Sequence, residues 1–92
     1  MTTIMIGYDL VRKDGMDYTK LEDAIKSLGH WWHCLDSTWL LNTNLSESQV
    51  MNHLLNYIGK SDRLLILTPS RPSGTWYGFG EECSRYLTSN LG

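Results

Sequence analysis

From Thr3 to Leu10 the side chains alternate, with Ile4, Ile6, Tyr8 and Leu10 on one side and Met5, Gly7 and Asp9 on the other. A period of two marks a strand, because successive side chains of an extended backbone point to opposite faces. Arg12 to Met16, with Asp14-Gly15 inside it, reads as a loop. Asp17 can then cap a helix in which Tyr18, Leu21, Ile25 and Leu28 recur at helical spacing, and Gly29 supplies its left-handed stop. Trp31 to Leu35 and Thr38 to Thr43 read as two strands joined by a tight turn at Asp36-Ser37. Ser46 and Gln49 form a capping box for a second helix, with Val50, Leu54 and Tyr57-Ile58 along its buried side and Gly59 at its end. Arg63 to Leu67 is a fourth strand, apolar at its centre.

The order β-α-β-β-α-β predicts an α+β domain of the ferredoxin-like kind, a four-stranded antiparallel sheet with two helices on one face. Residues 1–68 form this core. Residues 69–92 are a C-terminal arm and short helix of the same domain: Ser70 to Gly80 is rich in Pro and Gly, and Glu81 to Ser89 opens with paired acids suited to the positive end of a helix dipole. Two helices can cover only one face. Met5, the Trp39-Leu40 pair and the apolar fourth strand would leave the other face a large apolar patch, which usually marks an interface. A second copy is the simplest cover, so a homo-oligomer, at least a dimer, is expected.

Composition adds limits. A chain of 92 residues, 41% hydrophobic and 20% charged, is an ordinary globular domain. No apolar stretch approaches the ~20 residues of a membrane span. The N-terminus has no signal-peptide pattern, so no membrane partner is expected. Two cysteines, Cys34 and Cys83, are too few for a secreted framework and read as reduced thiols of a cytoplasmic protein. The net charge is −2, with eight Lys and Arg scattered among ten acids. Long DNA is a poor partner for such a chain, because phosphate neutralisation needs a basic stripe. A nucleotide-like small molecule or a short RNA needs only a local pocket.

Tyr8-Asp9-Leu10 closing the first strand, Gly15-Met16-Asp17-Tyr18 opening the helix, Leu35-Asp36-Ser37-Thr38-Trp39 across the hairpin and Asp62-Arg63-Leu64-Leu65 at the fourth strand resemble the SinR-like proteins. These are small relatives of the Cas-two family of CRISPR adaptation proteins and of VapD-type toxin ribonucleases. The resemblance covers about residues 3 to 67, with a weaker echo at Trp76. It implies a ferredoxin-like fold, a homodimer joined through the sheets, and an aspartate, here Asp9, near the two-fold axis, where relatives have been assigned Mg²⁺ binding in a nuclease reaction. Many relatives act without catalysis. The acidic balance and the long Pro- and Gly-rich arm depart from the adaptation proteins and argue against spacer integration.

Two classes of function follow. In the leading one, the chain is a non-catalytic binding protein that encloses a phosphorylated ligand, such as a nucleotide signal, and could sequester it as a phage-type counter-defence protein. Arg71, Trp76 and Tyr77 on the arm would clamp a base and its phosphate, with Tyr8, Arg12 and Trp39 completing the site. The alternative for the arm is packing across its own partner, and for Trp39 it is packing in the dimer. In the competing class, Asp9 serves a metal-dependent endoribonuclease and holds Mg²⁺ with a carboxylate from the partner. Asp9 could equally be a polar strand end bonded to backbone, and no second carboxylate or histidine is obviously placed as a general base. His30 and His33 fall on opposite faces of their strand and do not make a metal pair.

Overall fold

The structure is a computed structural model and describes residues 2–10, 18–70 and 74–91. In chain order it contains β1 (Thr2–Asp9), α1 (Thr19–Lys26), β2 (His30–Leu35), β3 (Thr38–Thr43), α2 (Glu47–Leu54) running into a 3₁₀ turn at Leu55–Tyr57, β4 (Arg63–Leu67) and α3 (Glu81–Leu91). The four strands make one antiparallel sheet in the order β2-β3-β1-β4, giving an α+β fold with three helices. No helix among the described residues is long and apolar enough to cross a membrane. Arg12, Asp17 and Arg71 lie outside the described residues, as does the Arg12–Met16 loop.

The alternation in β1 sends Ile4 and Ile6 to one face, where their antiparallel neighbours in β3 are Leu41 and Trp39. On top of them α1 lays Leu21, Ala24 and Ile25, and α2 lays Val50 and Leu54, forming a closed core. The Leu21–Ile25 and Val50–Leu54 pairs are four apart, the spacing that aligns side chains on one helix face. The expected capping box starts α2: Ser46 N–H donates to Gln49 Oε1 at 2.8 Å, and Gln49 N–H donates to Ser46 Oγ at 3.2 Å. Gly29, expected as a left-handed stop, is not one, since Gly78 is the described residue with positive φ. Gly29 is small for another reason: a Cβ there would collide with the backbone carbonyl of Asn42 in β3.

The opposite face is the larger departure. It is not left bare for a twin, because α3 of the same chain lies across β2 and β3. Trp32, Leu40, Tyr86 and Leu87 are buried there, with Met5, Trp76, Phe79 and Leu91 packed around them. Polar ties fix the helix: Trp32 Nε1–H donates to the Cys83 carbonyl at 3.1 Å, Tyr86 O–H to the His30 carbonyl at 2.7 Å, and Asn42 Nδ2 to Asn90 Oδ1 at 2.7 Å. Cys34 of β2 and Cys83 of α3 form a disulfide. That corrects the expectation of two reduced thiols, which spacing alone had no means to overturn because 49 residues separate the partners. Among the described residues this face is open at its two edges, where Leu65 of β4 is 55% and Leu35 of β2 is 47% exposed.

Candidate functional site

Where β1 ends, three segments meet. Tyr8 N–H donates to the Ser37 carbonyl at 3.1 Å, tying the β2–β3 hairpin turn to the strand end. α1 brings Glu22, and its N-cap residue Tyr18, over the same spot. A cavity of about 480 Å³ results, lined by Tyr8, Asp9, Tyr18, Glu22, His33 and Asp36 among others. Three of these are carboxylates, and His33 is the sole basic side chain among the described residues that line it.

His33 enters the cavity at a bulge. Trp32 pairs with Leu40 and Leu35 with Thr38, so His33 and Cys34 together stand opposite the single residue Trp39. Bulges recur beside active sites. The His33 ring lies flat on Trp39, with centroids 3.8 Å apart and planes 12° from parallel. Its Nε2 sits 3.0 Å from the Asp36 carbonyl oxygen. A carbonyl can only accept, so Nε2 carries the hydrogen and Nδ1 is the bare nitrogen of the neutral ring. Nδ1 lies 3.9 Å from Glu22 Oε2, so the carboxylate is placed to stabilise the cation formed when Nδ1 takes up a proton.

Beneath the ring, Trp39 Nε1–H donates to the Tyr8 hydroxyl at 2.8 Å. Burial raises the Tyr8 phenol above its usual value of 10; the Trp39 N–H opposes this, and the charges of Glu22 and Asp36 add to it. At neutral pH the phenol is therefore protonated and able to donate. On the other side of the cavity Tyr18 O–H reaches the Asp62 carboxylate at 3.0 and 3.1 Å, and that carboxylate also accepts from Gly59 N–H at 2.7 Å.

Of the residues singled out in the sequence, Tyr8 and Asp9 meet at this cavity, with Asp9 exposed at the strand end. Trp39 is corrected as a stacking surface: it is 0% exposed and belongs to the core beneath the site. Trp76 and Tyr77 separate, the first half-buried against the α3 core and the second 96% exposed. Arg12 and Arg71 fall outside the described residues. His30 and His33 point to opposite faces as expected, His30 against Tyr86 and His33 against Trp39. Sequence reading missed His33, Glu22 and Asp36 as site residues. Strand parity carried a signal for His33, which shares a face with Trp39 and Tyr8; nothing local placed Glu22 beside it.

Among the described residues no group of three or more His, Cys, Asp or Glu is arranged to hold a metal ion. Comparison with family models, with curated proteins and with solved structures finds no match to this chain.

Proposed function

We propose that this chain is a phosphodiesterase of the endoribonuclease type, working where β1 ends. What carries this reading is the convergence of Asp9 with the His33–Glu22 pair and the neutral Tyr8 phenol in one cavity. It supplies the proton-transfer group that no local pattern offered. We take the order β2-β3-β1-β4, with α1 and α2 on one face, as a ferredoxin-like core of the SinR-like and Cas-two-like kind, to which α3 is an addition.

In this reading His33 Nδ1 takes the proton of the attacking 2′-hydroxyl. The new O–P bond forms as the P–O5′ bond breaks, and the imidazolium returns its proton to the departing 5′-oxygen. Glu22 stabilises the imidazolium between the two transfers. Tyr8 donates to a non-bridging phosphate oxygen, where charge builds in the transition state. The cavity's carboxylates oppose a phosphate, so a counter-ion is needed. Among the described residues no cage made by the protein alone is formed. Mg²⁺ commonly uses one or two carboxylates together with substrate phosphates, and exposed Asp9 suits that role; bound there, it would supply charge neutralisation. A homodimer remains part of the proposal. With α3 seated on β2 and β3, the twin's place would be the β4 side, where Leu65 is open.

The test is cleavage of short RNAs in Mg²⁺ or Mn²⁺, followed on a denaturing gel. Asp9→Ala and His33→Gln should each lower the rate by about 100-fold or more while the chain stays folded. Unchanged cleavage in both variants, or none by the parent chain, would remove this reading. A second reading, sequestration of a nucleotide signal, draws on Tyr77, whose ring is 96% exposed and free to stack. A melting shift with nucleotides, without cleavage and lost in Tyr77→Ala, would favour it.

A further inference from the structure

We propose that the Cys34–Cys83 disulfide is a thiol-operated latch that seats α3 on the sheet and, through the bulge at His33-Cys34, steadies the His33 ring on the other face. The release of α3 stands apart from any catalytic reading; only the bearing on His33's chemistry rests on the function proposed above.

The bond sits at the one place where β2 is not laddered evenly to β3. Residues 33 and 34 share a single partner residue, so the ladder is locally interrupted there. On one face His33 is held by Trp39 and the Asp36 carbonyl; on the other, Cys34 is held by Cys83. The sulfurs are linked to α3 within its first turn, next to the Cys83 carbonyl that accepts from Trp32. Among the described residues, the remaining anchors of α3 are one small apolar cluster, the bonds from Tyr86 and Asn90, and the Tyr86 ring against His30. The segment leading into the helix is rich in Gly and makes no strand or helix at 74–80. Once the bond is gone, α3 is a single 11-residue helix, a length that is marginal without tertiary support.

A small reductant can reach the bond. A cavity of about 430 Å³ between β2 and α3 is lined by both cysteines, with His30, Glu82, Arg85 and Tyr86 around them. A thiolate of a dithiol attacks one sulfur, the S–S bond breaks and a mixed disulfide forms. The reductant's second thiolate then displaces the remaining protein sulfur. Two electrons pass from the dithiol to the protein, and the cysteines end as two thiols. In a reducing cytoplasm the latch would be open; in an oxidising compartment it would be closed.

The experiment compares the intact chain before and after treatment with dithiothreitol, with the Cys34→Ser, Cys83→Ser double variant alongside. Alkylation and mass measurement should find both cysteines blocked under an oxidant and both modified after reduction. Amide exchange across residues 81–91 should quicken by about tenfold or more on reduction, while that of β1 and β3 stays slow. The His33 ring signal, displaced by the stacked indole, should move toward the position of a free imidazole, and the double variant should match the reduced chain. The latch is overturned if both cysteines alkylate under oxidant, if exchange in 81–91 does not respond, or if β1 opens together with α3. A latch that opens while RNA cleavage never occurs would sink the proposed function and leave this inference intact.

Discussion

The two faces of this sheet are covered by different means. Over the first, two helices whose apolar residues recur at helical spacing close a core of Ile4, Ile6, Leu21, Ile25, Trp39 and Leu41, each almost fully out of water. Over the second, one helix brings Tyr86 and Leu87 onto Trp32 and Leu40, and side-chain hydrogen bonds and a covalent bond complete the attachment. Where enough apolar area is available, burial alone holds a layer in place; where it is not, directional and covalent ties make up the difference. The sharpest way to break the comparison is Trp39→Ala. It empties the centre of the first core and removes the floor under His33 and Tyr8. We expect a loss of about 4 kcal/mol in urea unfolding, with both faces melting together. A loss confined to the α3 side would mean that the first core is not the part that holds the fold.

Next in size is the covalent tie. Closing a loop across 49 residues stabilises a fold by about 2–4 kcal/mol. In the Cys34→Ser, Cys83→Ser chain that stabilisation should vanish from the opening of α3, read as exchange of its amides, which should quicken more than the slowest amides of β1 and β3. A uniform loss across the molecule would make the two faces one cooperative unit.

That contrast also explains what could be read from the chain. Ile4 with Ile6, Leu21 with Ile25, Val50 with Leu54 and the Ser46–Gln49 box all lie within a few residues of each other, so periodicity and capping chemistry located them. The helix at residues 81–91 announced itself by Glu81-Glu82, but nothing in its own pattern says which surface it will seat upon. Its docking depends on Trp32 and Cys34, some 50 residues away, and that is why a bare face and a covering twin were expected in its place. The site divides the same way. Tyr8 and Asp9 were legible as a strand end, whereas the bulge beside His33 and the approach of Glu22 from α1 are tertiary. Trp39 carried a strand's alternation and a stacking residue's chemistry at once, and burial decided between them.

A smaller effect should reach both faces through one backbone carbonyl. Gly29 packs against Asn42, whose side chain in turn bonds to Asn90 on α3. Gly29→Ala forces that carbonyl aside and should cost about 2 kcal/mol, with faster amide exchange in α3 as well as at the α1–β2 junction. Exchange quickening only at the junction would show that Asn42 does not link the layers.

The smallest and most selective change is Tyr86→Phe. It keeps the ring against His30 and Leu40 but deletes the hydroxyl that donates to the His30 carbonyl. The expected cost is about 1 kcal/mol, confined to the second face. The same residue gives that face its own pH signature. Burial pushes the Tyr86 phenol up from 10 to about 12, against the opposing effect of the Asn42 backbone. The folded state thus disfavours the phenolate. Its contribution to stability is whole below pH 10, where the unfolded chain is also protonated, and is lost as pH climbs from 10 through about 12. In Tyr86→Phe, α3 should open less steeply over that interval, while amides under α1 and α2 should follow the parent chain. If the two chains shared one pH curve, the Tyr86 hydroxyl would be meeting water, and the second face would be held by the disulfide, apolar contact and the bonds to the Cys83 carbonyl and Asn90.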